Sequence, residues 1–446
     1  MICARGVRIG RPGTDDPGCD VEYRSTQYII FRQFTDYMEY EIIRLSNGMR
    51  AVVQYQNLPI THVCMVINAG SRDELAGKFG VAHFIEHLLF KRTEKRSTQQ
   101  IINRLESVGG DLNAYTTKEY TCVHASILKP YLDRVLDLFE DIFFHSTFPE
   151  VEMDKEKSVI VDEMASYLDS PEESIVDDFE DLIFQGSGLG HNILGLEDQL
   201  LSLQKDDILT FMQSNYDTHE MVIGITGNYS VKEVERLLLR TFGNISENKT
   251  LRTRDDVKPV GEQHLTVPKP INQVHYMLGS LAYGYRDDRK TGLLLLNNML
   301  GGMGMGSILN LSIREKYGIA YTIESNYTIF SDTGLFSIYL GTDEEKVEKA
   351  KKLVFKELRH MCEHPLSEVK LAKAKRKFIG QIALTEENRM STIISAAKNV
   401  MDYDRVILLD EVIEKIEMLG SAQLLEIAQD VFDPRKLLSL SFVPEN

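Results

Sequence analysis

The sequence lacks several features that would place it in particular classes of protein. It has no apolar run of about 18 residues, so it offers no candidate transmembrane helix. Its five cysteines are scattered, odd in number and without a Cys-x-x-Cys pair. This pattern argues against a disulfide framework or a thiolate metal site and favours a reducing compartment. Basic residues are also scarce, because 50 lysines and arginines face 67 acidic residues and leave a net charge of −17. That balance argues against a nucleic-acid-binding surface or an anionic-membrane partner.

The beginning of the chain lacks the apolar core of a signal peptide. Its arginines hint at a transit peptide, but the same stretch carries acidic residues, which organelle presequences avoid. Regular patterning begins only near residue 39, directly after Met38. We therefore expect residues 1–37 to be a disordered tail or an over-extended start.

The remaining length and composition are those of a globular protein with sizeable cores. A chain of 446 residues with 43% hydrophobic content allows about two to four domains. The segments YEIIRL and RAVVQYQ flank Asn47-Gly48, which predicts a β-hairpin closed by an Asn-Gly turn. Strand-like and helix-like segments alternate after it, so the sequence predicts an α+β fold.

The two halves of the chain resemble each other. The triplet Ala114-Tyr115-Thr116 recurs as Ala320-Tyr321-Thr322, and the helical segments around Pro149 and Pro365 align in the same order. Two copies of one α+β unit are therefore predicted. The polar stretch 244–262 has no apolar periodicity and suits a linker between a unit at 38–243 and a second at 263–446.

His83-Phe84-Ile85-Glu86-His87 is the feature that carries chemistry. Its two histidines at i and i+4 lie one helical turn apart and can face one ion, which is the inverted zinc-hydrolase pattern H-x-x-E-H. A zinc ion with three protein ligands keeps an open position for water, whose pKa it lowers to about 7. Glu86 could then accept the proton of that water as general base.

A third ligand has to come from elsewhere in the chain. Glu156 and Glu163 lie seven residues apart on one face of a predicted helix, while the aligned positions in the second copy are Ala372 and Ile379. Only the first copy can therefore build the site. Since charged residues on helices are usually exposed, Glu156 alone would more often belong to a solvated acidic face.

The pentapeptide pattern occurs a second time, as His360-Met361-Cys362-Glu363-His364. Pro365 disfavours helical geometry at His364, so we do not expect these two histidines to share a helical face. We interpret this second match as structural. The histidines outside both pentapeptides have no ligand spacing, and we interpret them as structural too; they are His62, His124, His145, His191, His219, His264 and His275.

The segments GVAHFIEHLLFKRT, LESVGGDLNAYTTKEYT, EKSVIVDEM and LGHNILGLEDQL together resemble the pitrilysin/insulinase (M16) family of zinc peptidases. The resemblance is to its short branch, with the processing peptidases and their bacterial homologues, and covers about residues 39–440. It implies that His83, His87 and Glu163 bind zinc, that Glu86 is the base and that Glu156 supports the site. It also implies two homologous α/β-roll domains that form a bowl-shaped half of a closed chamber.

The same resemblance assigns residues outside the metal helix. Arg314 and Tyr321, in REKYGIAYT after GGMGMGS, resemble the Arg–Tyr pair with which the family holds the substrate and stabilises the oxyanion. The alternative is a surface arginine and a packed strand tyrosine. Asn113 and Ala114 resemble the edge strand against which the peptide lies as an added strand. The mitochondrial β subunit lacks the Arg–Tyr stretch, so this chain resembles the bacterial enzymes, which implies a cytoplasmic location.

An acidic run follows the candidate ligand Glu163. Residues 162–181 carry nine acids and no lysine or arginine, which is usually a solvated helix face. In processing peptidases, acids a few turns beyond the zinc glutamate receive a substrate arginine. Glu173 and Asp177, at i and i+4, stand in the corresponding place.

The resulting prediction is a zinc-dependent endopeptidase that hydrolyses peptides or unfolded segments. The chain is shorter than family members that join two such halves, so we expect a homodimer or a heterodimer with a related M16 chain. Two alternatives remain: a catalytically inactive partner subunit or peptide-binding scaffold, and a zinc hydrolase of non-peptide amides. The intact His83, Glu86, His87 and Glu163 count against the inactive subunit.

Overall fold

The computed structural model describes residues 39–259, 261 and 263–445. Each half contains one β-sheet flanked by helices, and the α+β class predicted from the sequence is confirmed. The expectation of a tail over residues 1–37 lies outside the described residues. None of the helices in the described ranges combines the length and apolar character that crossing a bilayer requires.

The described part of the first half has six strands and eight α-helices. The strands are β1 (Tyr40–Arg44), β2 (Arg50–Tyr55), β3 (Ile60–Ile67), β4 (Asp111–Thr116), β5 (Thr121–Leu128) and β6 (Met221–Gly227). The helices are α1 (Val81–Leu89), α2 (Thr98–Glu106), α3 (Leu132–Phe144), α4 (Glu150–Leu168), α5 (Pro171–Ile183), α6 (Glu197–Ser202), α7 (Lys205–Asn215) and α8 (Val231–Phe242). The predicted hairpin is confirmed, because β1 and β2 pair antiparallel and Gly48 between them takes a φ of 92°.

The described part of the second half has five strands and six α-helices. The strands are β7 (His264–Lys269), β8 (Val274–Ala282), β9 (Thr322–Ile329), β10 (Gly334–Thr342) and β11 (Leu438–Pro444). The helices are α9 (Lys290–Leu300), α10 (Glu344–Glu363), α11 (Glu368–Thr385), α12 (Arg389–Tyr403), α13 (Leu409–Met418) and α14 (Ser421–Val431). A π-helical segment spans Asn310–Glu315, and short 3₁₀ turns lie at Ser71–Asp73, Lys129–Tyr131, Thr218–Glu220 and Pro434–Lys436.

The two sheets share one topology, as expected for two copies of one unit. Their strand orders are β1-β2-β6-β3-β5-β4 and β7-β11-β8-β10-β9. In each sheet one parallel pair, β2–β6 or β7–β11, adjoins a run of antiparallel pairs. Without the extra β1 the orders match strand for strand, and the strands β4 and β9 lie at corresponding edges.

Each sheet is covered on one face by helices of its own half and on the other by a helix of the opposite half. The helix α12 places Ile393 and Val400 in a buried cluster with residues of β2, β3, β5 and β6. Reciprocally, α5 places Phe179 and Ile183 against β8, β10 and β11. Because a helix of the opposite half covers this face of each sheet, each half completes the core of the other.

The helices also correct the alignment of the two copies. The helices α4 and α11 begin at Glu150 and Glu368, two residues out of step with the Pro149–Pro365 match. Counting from these starts pairs two buried lysines, Lys157 and Lys375, whose Nζ atoms donate to backbone carbonyls of later segments. Glu156 and Glu163 therefore correspond to Ala374 and Gln381, and not to Ala372 and Ile379. The second copy still offers no carboxylate at either position.

Candidate metal centre

The helix α1 carries the H-x-x-E-H motif, and a glycine sets where it begins. Gly80 takes a φ of 92°, and a Cβ there would lie 2.5 Å from the carbonyl oxygen of Leu194. Only glycine combines this backbone conformation with so close a contact. The buried Phe84, Ile85 and Leu88 hold the helix in the core, while it packs against α4 and β4.

His83, His87 and Glu163 converge on one point. The Nε2 atoms of His83 and His87 lie 3.9 and 3.7 Å from Oε2 of Glu163, and the ring centroids lie 4.7 Å apart. Tetrahedral ligands about 2 Å from a shared zinc ion lie roughly 3.3 Å apart, so this nitrogen–oxygen donor set fits zinc after small movements. These three residues are the one such group found among the described residues.

The surroundings of His83 favour its neutral form, which is the form that binds a metal. Burial and, to a lesser extent, the neighbouring His87 lower the pKa of His83 to about 3. A metal binds the neutral imidazole, because protonation removes the lone pair. Near neutral pH the ring of His83 is therefore in the form that a metal requires.

Glu156 lies beside His87. Its Oε2 atom is 3.1 Å from Nδ1 of His87, and its Oε1 atom forms an ion pair at 2.6 Å with Nζ of Lys91. A proton held on Nδ1 by the carboxylate leaves the Nε2 lone pair of His87 directed at Glu163, as in other carboxylate–histidine–metal arrangements. Glu156 is 6% exposed, so the structure does not place it on a solvated acidic face.

Glu86 lies beside the three candidate ligands and is held by the edge of the first sheet. The hydroxyl of Thr116, at the end of β4, donates a hydrogen bond of 2.6 Å to Oε2 of Glu86. Burial raises the pKa of Glu86, while the bond from Thr116 and the charge of His87 oppose the shift. Neither Thr116 nor Lys91 is part of a motif that spacing could reveal, although Lys91 follows His87 by four residues, just after the end of α1.

Asn113 and Ala114 lie in β4, which pairs with β5 on one side and forms the edge of the sheet. The amide N–H of Ala114 donates to the side-chain oxygen of its neighbour Asn113 at 2.8 Å. An edge strand beside Glu86 offers main-chain groups to an added strand.

Glu173 and Asp177 lie on α5, the helix that follows the one carrying the candidate ligand Glu163. Burial raises the pKa of Tyr167, and the charges of Asp177, Glu173 and Glu163 raise it further. Asp177 accepts a hydrogen bond of 2.8 Å from Asn192, whereas Glu173 is exposed. Burial also raises the pKa of Asp177.

Arg314 and Tyr321 lie apart from this cluster. They line an open pocket of about 530 Å³ beside the glycine-rich loop 301–306, and all of its described lining residues belong to the second half. The hydroxyl of Tyr321 donates to Asp343 at 2.9 Å. Tyr321 is 59% exposed, so the alternative of a packed strand tyrosine does not describe it.

The second pentapeptide differs from expectation in one respect. The helix α10 ends at Glu363 and His364 is extended, as Pro365 suggests, yet the rings of His360 and His364 lie only 4.6 Å apart. The amide N–H of His364 still donates to the carbonyl oxygen of His360 at 3.1 Å, which keeps the two residues one helical turn apart. Among the described residues no third ligand joins these two histidines.

The comparisons with known proteins agree on one family. The family model "Insulinase (Peptidase family M16)" matches residues 50–196, and "Peptidase M16 inactive domain" matches residues 202–378. The uncharacterized zinc protease YmxG of Bacillus subtilis is 31% identical over 88% of this chain and 96% of its own length. An uncharacterized zinc protease of Streptomyces coelicolor is 31% identical over 84% of this chain and 83% of its own.

Solved structures show the same fold. The crystal structure of a protease from Helicobacter pylori covers 91% of this chain and 100% of its own, with a TM-score of 0.84 and 20% identity. A peptidase M16 inactive domain from Pseudomonas fluorescens covers 92% of this chain and 98% of its own, with a TM-score of 0.85 and 18% identity. Together with the two matched family models, these likenesses confirm the resemblance seen in the sequence: the chain belongs to peptidase family M16, the insulinase family.

Proposed function

We propose that the protein is a zinc-dependent endopeptidase that hydrolyses peptides or unfolded polypeptide segments. The observation that carries this proposal is the convergence of His83, His87 and Glu163 on one point, with Glu86 beside it. The names of the relatives, which are zinc proteases, support the same activity.

In this proposal each side chain near the metal has a separate task. His83, His87 and Glu163 would hold the zinc ion, and Glu156 would keep the proton of His87 on Nδ1. Bound zinc supplies Lewis acidity, which lowers the pKa of a coordinated water to about 7 and polarises a carbonyl oxygen. Glu86 accepts the proton of the attacking water and returns it to the leaving amine, while Thr116 holds its carboxylate in place.

Substrate would bind as an added strand along β4. Asn113 and Ala114 would present the main chain of the strand edge, and such pairing selects an extended conformation more than a side-chain sequence. Most strands of a folded substrate are already paired on both sides, so a folded substrate should be refused. Glu173 and Asp177, one helical turn apart on α5, would receive a basic side chain of the peptide, since their charges and that of Glu163 act on the same phenol, Tyr167.

Arg314 and Tyr321 would act across a dimer. Their pocket is lined by the second half, so within one chain the described contacts do not join it to the metal cluster. A second copy, or a related M16 chain, would bring this pair to the partner's metal site, where it would hold the substrate and stabilise the oxyanion. The solution mass tests this assembly. We also expect a bacterial cytoplasm as its location, because the relatives named above are bacterial proteins.

Two substitutions in the motif test the catalytic proposal. Glu86→Gln should keep the zinc ion and lose about 10²–10⁴-fold in turnover, the usual contribution of a general base. His87→Ala should lose both zinc and turnover. The second pentapeptide supplies the control, since His360→Ala should change neither metal content nor cleavage.

The assay is cleavage of a mixed peptide library with and without a chelator, followed by mass spectrometry. Full activity of metal-verified Glu86→Gln would contradict the mechanism. Peptide binding without chelator-sensitive cleavage would instead favour an inactive partner subunit or scaffold. The match of residues 202–378 to the model of an inactive M16 domain is the observation that favours this second function.

A further inference from the structure

Glu74 is a buried carboxylate that binds the first turn of the metal helix. Its side chain has 0% exposure, and it accepts hydrogen bonds of 2.8 Å from the backbone N–H groups of Gly80 and Ala82. A third bond, of 2.9 Å, comes from Nε2 of His191. These contacts tie a loop residue and a distant histidine to the start of α1.

The start of α1 needs such a partner. The first N–H groups of a helix have no acceptor within the helix, and a side chain at the capping residue usually supplies one. Here that residue is Gly80, which has no side chain to do so. Glu74 takes over this task, and its negative charge also suits the positive end of the helix dipole.

His83 depends on this anchor more than His87 does. The ring of His87 is oriented by its own contact with Glu156, 3.1 Å away. The ring of His83 has no such contact, because its Nδ1 atom is buried without a hydrogen-bond partner. His83 follows Ala82 directly, so the backbone that Glu74 holds contributes, together with the core packing of α1, to fixing where its imidazole lies.

His191 is itself held from several sides. Its ring stacks on Phe79 with centroids 3.9 Å apart and planes 12° from parallel. Its backbone carbonyl accepts from Nζ of Lys118, which also pairs with Glu180 at 3.5 Å. The histidine is 6% exposed. An imidazole packed this firmly presents Nε2 to Glu74 in one orientation.

We propose that Glu74 and His191 are positioning residues for the metal site, which act by fixing the first turn of α1 and thereby the imidazole of His83. This inference rests on the proposed function, since it assumes a metal at His83, His87 and Glu163. It gives His191 a specific task where its sequence context suggested a structural histidine only.

Three substitutions test it. Glu74→Gln removes one of the two acceptor oxygens. His191→Phe keeps an aromatic ring against Phe79 but removes the donor, whereas His191→Gln keeps a donor and removes the stacking. Asp141→Asn is the control: Asp141 is also fully buried and accepts from Thr93 and Arg96, but has no described contact with α1.

The measurements are zinc affinity by competition with a chromophoric chelator, the visible spectrum of the Co²⁺-loaded protein, and the melting temperature. We expect Glu74→Gln and His191→Phe to weaken zinc binding about 10–100-fold, as loss of groups that orient metal ligands usually does, and to change the Co²⁺ spectrum. We expect His191→Gln to stay near wild type on both measures. Asp141→Asn should lower the melting temperature alone.

The outcomes separate this inference from the proposed function. A wild-type protein that binds neither Zn²⁺ nor Co²⁺ would overturn the proposed function, and with it the basis of this inference. If the wild type binds metal and both Glu74→Gln and His191→Phe keep its affinity and spectrum, only the positioning role is wrong. If Glu74→Gln does not fold, the comparison of His191→Phe with His191→Gln still tests the positioning role, by zinc affinity and by the Co²⁺ spectrum.

Discussion

Arg72 and Asp332 join the two halves of the protein through two parallel hydrogen bonds of 2.6 and 2.7 Å. The side chain of Arg72 is 1% exposed, and it also pairs with Glu119 at 2.7 Å. Glu119 lies in the turn between β4 and β5 and accepts from Ser331 of the second half. This buried network connects the edge strand of the first sheet with the other half.

Breaking this network should destabilise the whole chain. Arg72→Ala takes the guanidinium away from Asp332 and leaves Glu119 with its longer pair to Arg254, at 3.3 Å. The loss of one partner of a buried ion pair typically costs about 3–5 kcal/mol. Asp332→Ala should cost less, because Arg72 keeps Glu119. Urea unfolding measures both changes. The exposed pair of Arg435 with Asp433 gives the control, since Arg435→Ala should leave the unfolding midpoint where it is; an equal shift there would contradict the assignment.

Much of the fold and of the metal cluster follows from the sequence. The Asn47-Gly48 hairpin and the repeat of one topology are visible in turn chemistry and in recurring segments. The placement of His83 and His87 follows from helical spacing alone. Their meeting with Glu163 follows once the family is recognised, because spacing alone cannot tell which helix packs against α1.

The relation between the halves could not be predicted in this way. The apolar positions Ile175, Phe179 and Ile183 indicate a buried helix face, but periodicity does not reveal that the sheet they cover belongs to the other half. Arg72 is hidden for the same reason, since its partner Asp332 lies 260 residues away in a loop. Such contacts depend on how the two folded halves pack against each other, which local sequence patterns do not reveal.

Glu156→Gln should weaken metal binding without destroying the cluster. The amide can still approach Nδ1 of His87, but it accepts a hydrogen bond less strongly and loses the ion pair with Lys91. The expected loss is about 10–100-fold in zinc affinity, measured by chelator competition. The control is Glu152→Gln on the same helix, whose exposed partner is Lys155. Equal affinities of the two variants would contradict the supporting role of Glu156.

Gly224→Ala should loosen the docking of α12 on the first sheet. A Cβ at this position of β6 would lie 2.6 Å from Sγ of Cys64 and 3.0 Å from the backbone oxygen of Ile393. Overpacking of this kind typically costs about 1–3 kcal/mol. Gly380→Ala is the matched control, because nothing lies within 4 Å of a Cβ there and alanine suits its helix. Thermal unfolding should fall for the first variant and rise slightly for the second; the reverse order would refute the packing argument.

The acidic helix α5 should make stability depend on pH. Burial, with the charges of Asp177 and Asp178 adding to it and those of Lys118 and His191 opposing it, raises the pKa of Asp181 from 3.8 to about 6. The folded state therefore binds this proton more tightly than the unfolded state, and stability falls as the pH rises from 3.8 to about 6. Asp181→Asn removes that loss.

The variant Asp181→Asn should accordingly gain about 1–2 kcal/mol over wild type at pH 7, after allowance for partial exposure, and almost nothing near pH 4. Denaturant unfolding at several pH values measures the difference. The exposed Asp169 supplies a matched Asp→Asn control with no expected trend. A gain that is the same at all pH values would show that the carboxylate does not titrate in this range.

Glu173 and Asp177 should determine a preference for basic substrates. If they receive a substrate arginine, Glu173→Gln with Asp177→Asn removes both negative partners of the guanidinium. The ratio of kcat/KM for a peptide with arginine to that for its citrulline counterpart should then fall about tenfold or more, since a charge-assisted hydrogen bond contributes about 1.5–3 kcal/mol. The single change Glu173→Gln breaks no side-chain hydrogen bond recorded for the described residues and should give part of the effect. Glu172→Gln is the control, because Glu172 lies on the same helix and its charge acts on Tyr339 of the second sheet, whose pKa it helps to raise. An unchanged ratio in the double variant would show that Glu173 and Asp177 do not receive a substrate side chain.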